Sequence, residues 1–404
     1  MASEWPHELG GSGARAVFAR RLRVMGPVRT ILLFLVVVLA IVGFAERSWI
    51  EAEMRAAAVL SITAKIPVLA WTTRVLTDKP RVADERVAGV PTTVVRPGKG
   101  NQWPAIVFVN GVTARGSHHP DVERLANGLA RVGFIVFVPD PPGLRTGEIT
   151  RKTLAGTIAL VRAAANRHDV RHGRVALVGV SNGTTLSLLA AENPSLAGRI
   201  SVVAGVAPYT DLAEMIRLAT TGSYVEDGRL VPYQAKPFLG LVLARSLVAT
   251  LQPSRDRDTL LAELLRLSEN APDPLALFRE LPIRKVTPSV RPLVRLLANR
   301  DPRRFDRLYA ALSPSMRASI ERLSPIHEAQ KLLAPIYIAS APHDKYFPLS
   351  ETRDLARRAT HTQVSLTVTS TLHHAIPSIS LSGIGALLRF NGWMLRSLRA
   401  ARRG

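Results

Sequence analysis

The chain has 404 residues, 47% of them hydrophobic and 21% charged, enough apolar material to bury a core and too much for a disordered chain. Its 53 Lys and Arg against 31 Asp and Glu give a formal net charge of +22. The arginines are dispersed, however, aromatics are only 5% and no zinc-finger or RNP-type motif accompanies them, which sets nucleic acid aside as a partner and leaves attraction to acidic lipid as the milder reading. With no cysteine, disulfides, thiolate metal sites and a cysteine nucleophile are excluded.

Residues 1–26 form a basic tail containing Arg15, Arg20, Arg21 and Arg23. Residues 31–45 then read ILLFLVVVLAIVGFA, an unbroken apolar run. Counted from Pro27, with Arg29 snorkelling to the headgroups, it reaches the roughly 17 to 25 residues a membrane span needs. We read 27–45 as a single-pass transmembrane anchor. The positive-inside rule then leaves the tail cytoplasmic and places all that follows outside the cytoplasm. A cleaved signal peptide is the rival reading, since Gly43 and Ala45 sit where small residues precede a cut, and it would make the protein secreted. Residues 46–80 are again rich in Ala, Val, Leu and Ile but are interrupted by Arg55, Lys65 and Arg74, which fits a linker or amphipathic helix and not a second span.

From residue 81 onward short apolar runs alternate with helical patterns, the signature of a mostly parallel sheet covered by helices. Residues 92–96, 105–109, 134–138, 175–178, 202–206, 336–339 and 364–368 are predicted strands, rich in β-branched residues as doubly covered strands should be. Residues 121–131, 154–166 and 184–191 show helical spacing between them. The rhythm breaks over 211–323, a helical, arginine-rich insertion with a turn expected at Asp227-Gly228; it separates a first core segment, 81–210, from a second, 324–404, and is placed to act as a helical lid. At the C-terminus Ile384, Leu387, Leu388, Met394, Leu395 and Leu398 share one side of a helical projection, opposite Arg389, Arg396, Arg399 and Arg403, which predicts a helix packed on the sheet.

The strand at 175–178 runs into Gly179-Val180-Ser181-Asn182-Gly183 and then into a helical pattern. A serine presented on a sharp strand-to-helix turn needs small residues two positions either side and gains the positive end of the helix beside its Oγ. Serine catalysis also needs a base, an acid to orient it, and donors for the oxyanion. Asp344, in the loop after strand 336–339, is the candidate acid; Asp211, the spare, reads better with Glu214 as a capping box. His373 and His374 follow the last strand, and two adjacent side chains diverge, so one of them faces the serine. Backbone N–H groups in Asn110-Gly111-Val112-Thr113, that of Val112 in particular, and of Asn182 are the candidate oxyanion donors. The other histidines lack metal-ligand spacing, and neither a metal nor another cofactor is called for.

The order Ser181, Asp344, His374 and the segments 104–143, 174–183, 324–348 and 369–377 resemble the α/β-hydrolase superfamily, in particular bacterial esterases of the dienelactone-hydrolase type, some membrane-anchored. The resemblance implies the α/β-hydrolase fold, selects His374 over His373 as base because it stands just ahead of a short x-x-Pro, and implies hydrolysis of an ester, thioester or amide of a small-molecule or lipid-like acyl substrate. Asn110 and Asn182 depart from the family pattern, which more often has histidine and a larger residue there. Two alternatives follow: acyl transfer by the same triad, or a membrane scaffold with impaired catalysis.

Overall fold

The computed structural model describes residues 77–373, 376–377 and 384–403. The anchor expected at 27–45, nearly all of the 46–80 linker, and His374 lie outside these residues. Among the described residues no helix is long and apolar enough to cross a membrane.

The core is an eight-stranded sheet in the order β1-β2-β4-β3-β5-β6-β9-β10. These strands are β1 (Arg81–Val87), β2 (Val90–Arg96), β3 (Trp103–Val109), β4 (Ile135–Pro139), β5 (Val170–Val180), β6 (Ile200–Val206), β9 (Ile336–Ser340) and β10 (Val364–Val368), with β7 (Ser223–Glu226) and β8 (Arg229–Pro232) forming a separate hairpin. β2 is antiparallel to both β1 and β4, and every other pairing in the large sheet is parallel. Every residue of β3, β4 and β6 is buried, which is why these strands read as continuous apolar runs and not as alternating ones. β1 was not anticipated. Its sequence RVADERV is mostly exposed, as suits an edge strand protected by charge.

The helices are α1 (Pro120–Arg131), α2 (Arg151–Ala165), α3 (Asn182–Ala191), α4 (Leu212–Thr221), α5 (Phe238–Thr250), α6 (Arg255–Arg266), α7 (Ala276–Glu280), α8 (Arg291–Leu297), α9 (Phe305–Ala310), α10 (Pro314–Arg322), α11 (Leu349–Arg358) and α12 (Ile384–Arg403). α12 lies across β3, β5, β6, β9 and β10, so the C-terminal helix packs on the sheet, but Leu388, expected on its apolar face, is 54% exposed. Arg396 on this helix donates to Thr367 Oγ1 at 3.2 Å.

Chain order and sheet order reverse at β3: the chain moves from β3 outward to β4, then crosses back to β5 on the other side. In an open parallel sheet such a switch leaves a crevice beyond the C-terminal ends of the strands flanking it. Residues 110–113 and Ser181 both occupy that crevice's rim.

Between β6 and β9 the chain forms α4 to α10 together with the β7-β8 hairpin, which the sequence did not predict. Its turn is at Asp227-Gly228, where φ is +48° and +76°, the pair of positive values a two-residue hairpin turn of the twisted kind demands. The insertion is not a loosely apposed module. Leu241, Val248, Leu293, Phe305 and Ile320 belong to the same buried apolar cluster as Val107 and Leu177 of the sheet.

Candidate active site

Ser181 stands between β5 and α3 with φ +55° and ψ −127°, a conformation that costs a non-glycine residue free energy and persists only where the surroundings enforce it. They do so on both sides. The Ser181 N–H donates to Val206 O at 2.8 Å, while its carbonyl accepts from Thr184 N at 2.9 Å, starting the helix. A Cβ on Gly179 would come within 2.5 Å of the Thr184 backbone, and one on Gly183 within 2.0 Å of Val109 O, so the two small positions that the motif requires are set by backbone packing against backbone.

α3 is buried nearly all round, and its hydroxyls are satisfied by backbone carbonyls: Thr184 Oγ1 donates to Val206 O at 3.1 Å and Thr185 Oγ1 to Tyr209 O at 2.7 Å. The helix is therefore fixed to the ends of β5 and β6. Asn182 occupies its first position, where a backbone N–H has no intrahelical acceptor and is aimed outward, together with the positive end of the helix dipole.

Ser181, Asn182 and Val112 line one cavity of about 340 Å³, together with Asn110, Gly111 and Thr113 from the loop after β3. Gly111 brings that loop close: a Cβ there would stand 3.5 Å from Ser181 Cβ. The sequence-based nucleophile and both oxyanion candidates are thus brought together. The post-β3 loop is itself held by Asp140, whose carboxylate accepts from Ser117 N at 3.0 Å and Ser117 Oγ at 3.2 Å. Burial raises the Asp140 pKa, and the Ser117 bonds pull in the opposite direction.

Asp344 lies in the loop after β9 and is 6% exposed. Its Oδ1 accepts from Tyr346 N at 2.8 Å and Phe347 N at 3.1 Å, and the phenol of Tyr233 donates to its carbonyl oxygen. These bonds fix the carboxylate's orientation. They are the bonds of a local turn, and the N-cap of α11 is Pro348 and not Asp344. Asp344 does not itself line the cavity, but Tyr346 and Phe347 do. The segment leading to the two histidines leaves β10 beside this loop, because Thr369 N donates to Ser340 O at 3.0 Å. His374 itself is outside the described residues.

Asp211 is a helix cap, as expected: its Oδ1 accepts from Ala213 N at 2.9 Å and Glu214 N at 3.3 Å. The reciprocal half of the capping box is absent. Glu214 instead accepts from Arg217 and from Val225 N, and the Asp211 N–H goes to Glu351 Oε2 at 2.8 Å.

Several cavity residues were not anticipated. Tyr209 follows β6 at the same sheet edge as the other site loops, which was a usable signal. His119 lines the cavity as well, and its Nδ1 accepts from Asp121 N at 3.3 Å at the start of α1. Phe238, Leu239, Val242 and Leu243 of α5, with Glu269 and Asn270 beyond α6, come from the insertion and complete the wall. Among the described residues no group of three or more His, Asp or Glu side chains is placed to hold a metal ion.

A strained serine between strand and helix, at the mouth of a topological switch in a mostly parallel sheet, defines an α/β-hydrolase architecture. The family model for the alpha/beta hydrolase fold matches residues 104–374, and the chain belongs to that family. No curated protein matches the sequence. Among solved structures, a candidate hydrolase from Legionella pneumophila is 13% identical, with 85% of this chain and 95% of that one covered and a TM-score of 0.51. Est1E from Butyrivibrio proteoclasticus is 12% identical, with 81% and 100% covered and a TM-score of 0.42. The acylaminoacyl peptidase of Pyrococcus horikoshii is 11% identical at a TM-score of 0.43; the match takes in 82% of this chain but only 41% of the peptidase.

Proposed function

We propose that the protein is a serine hydrolase that cleaves an ester, thioester or amide through an acyl-enzyme, on a small-molecule or lipid-like acyl substrate. The observation that carries this reading is the backbone of Ser181, held at φ +55° on the wall of the cavity. This conformation, φ +55° and ψ −127°, enforced by backbone hydrogen bonds on both sides of the serine, is what presents a nucleophile at a strand-to-helix turn.

In this reading Ser181 Oγ attacks the acyl carbon while His374 takes its proton and later returns it to the leaving group. Asp344 orients His374 and stabilises its cationic form, and the N–H groups of Val112 and Asn182 receive the developing oxyanion. Water or another acceptor then releases the acyl group. The helical insertion acts as the lid over the crevice, supplying one wall of the cavity and excluding water from it.

The apolar run at 27–45 anchors the chain in a membrane with the hydrolase domain outside the cytoplasm, the reading its length and arginine flank favour. Hydrolysis of a panel of p-nitrophenyl esters by the full-length chain and by Ser181→Ala tests the enzymatic reading. Turnover lost in the variant, with its melting temperature retained, is expected; equal turnover in both would overturn it.

A further inference from the structure

The cavity wall combines two features that point to one kind of substrate group. Four of its side chains are aromatic and form a connected series: Tyr209 meets Phe347 edge-on at 5.7 Å, Phe347 meets Tyr346 at 6.3 Å, and Tyr346 meets Phe238 at 6.4 Å. Aromatic faces attract cations through their quadrupole, most strongly where water is displaced. The second feature is Glu269, the only acidic or permanently charged side chain among the described residues that line the cavity, in a chain of net charge +22.

No ion pair engages Glu269 among the described residues. Arg245 senses its charge, but the Arg245 guanidinium donates to the carbonyls of Thr146, Leu264 and Leu267 and is not part of the wall. The negative field reaches the rings themselves. The Tyr346 phenol is pushed above its ordinary range by burial first, then by Asp344 and Glu269.

We propose that the cavity selects acyl substrates carrying an ammonium group on an apolar body, with Glu269 and the four rings as the determinants of that choice. This rests on the serine-hydrolase reading above. The ammonium group would lie beside the half-buried rings of Phe238 and Tyr346, backed by the buried Tyr209 and Phe347, with the exposed Glu269 close by, while the aliphatic part packs on Leu239, Val242 and Leu243. Glu269 is exposed, so solvent screening limits its contribution to a few-fold, and the rings supply the remainder.

The test uses the full-length chain and two p-nitrophenyl esters of equal shape, that of trimethylammoniobutyrate and that of its isostere with carbon in place of the quaternary nitrogen. The expected result is a higher kcat/KM for the cationic ester, with the cationic-to-neutral ratio falling about two- to five-fold in Glu269→Gln, further in Glu269→Lys, and in high salt to about the value of Glu269→Gln. A ratio unmoved by both variants overturns the proposal. So does a preference for the neutral ester in the unaltered chain. If neither ester is turned over, protection of Ser181 from a fluorophosphonate by each compound gives the same ratio. Absence of any labelling would instead refute the hydrolase reading on which the proposal stands.

Discussion

Glu351 Oε2 accepts the backbone N–H of Thr210 at 2.6 Å, tying α11, which follows the Asp344 loop, to the chain leaving β6. The same oxygen takes the N–H of Asp211 at 2.8 Å, and Thr210 Oγ1 donates to the Glu351 carbonyl at 2.9 Å. Since Tyr209 precedes Thr210 and packs edge-on against Phe347, one buried carboxylate sets the spacing of two cavity walls.

Truncating that carboxylate leaves buried N–H groups without an acceptor, each costing about 1 to 3 kcal/mol. Glu351→Ala is expected to lower the unfolding free energy by a few kcal/mol in denaturant titration, whereas Glu351→Gln keeps an acceptor oxygen and costs less. The pH dependence carries a sign. Burial, with Asp211 beside it, raises the Glu351 pKa from 4.5 to about 8. Between these values the folded state holds a proton that the unfolded state releases, so this contribution is complete below about pH 4.5 and is lost as pH rises through about 8. Stability of the unaltered chain relative to Glu351→Gln should therefore fall steadily over that window, and a constant difference would show that Glu351 is ionised throughout.

Gly183→Ala places a methyl group 2.0 Å from Val109 O and 2.4 Å from Asn110 O, both backbone atoms of β3 and the loop after it, where the proposed oxyanion donor Val112 lies. Neither can yield without moving β3 or the helix. The variant is expected to lose about 3 kcal/mol or more, or to remain folded with the elbow displaced and Ser181 unreactive. Melting temperature and labelling rate, measured together, check this, and retention of both would contradict the packing described.

Much of this architecture was legible in the sequence because β3, β4 and β6 are buried throughout, as are most of β9 and the second half of β5, and carry little but apolar residues, while the half-buried edge strand β10 is marked by its alternating Val364, Leu366 and Val368. β1 escaped notice because an exposed edge strand resembles a charged loop, RVADERV. The β7-β8 hairpin left only its Asp227-Gly228 turn as a signal. The site divided along the same line. Ser181, Asn182 and Asp344 stand next to recognisable strands, and their positions follow from strand ends. Glu269, Asn270 and the α5 residues reach the cavity through tertiary packing of the insertion, where leucine and valine at helical spacing look the same whether they face a core or a ligand. His119 stands at the start of α1, and nothing in its spacing ties it to the other site segments.

His374→Ala is expected to reduce kcat by on the order of a thousand-fold or more, while His373→Ala retains most activity, because one of two adjacent side chains faces Ser181. The steady-state kinetics of the two variants decide between them. The opposite result would assign the base to His373 and shift the register after β10 by one residue.

The central claim, that Ser181 is an activated nucleophile, is tested most directly by treating the full-length chain with a fluorophosphonate probe and mapping the modified peptide by mass spectrometry. The account predicts a single adduct on Ser181, absent from Ser181→Ala and strongly slowed in His374→Ala. A folded protein that takes up no probe, or one labelled equally in Ser181→Ala, would contradict it.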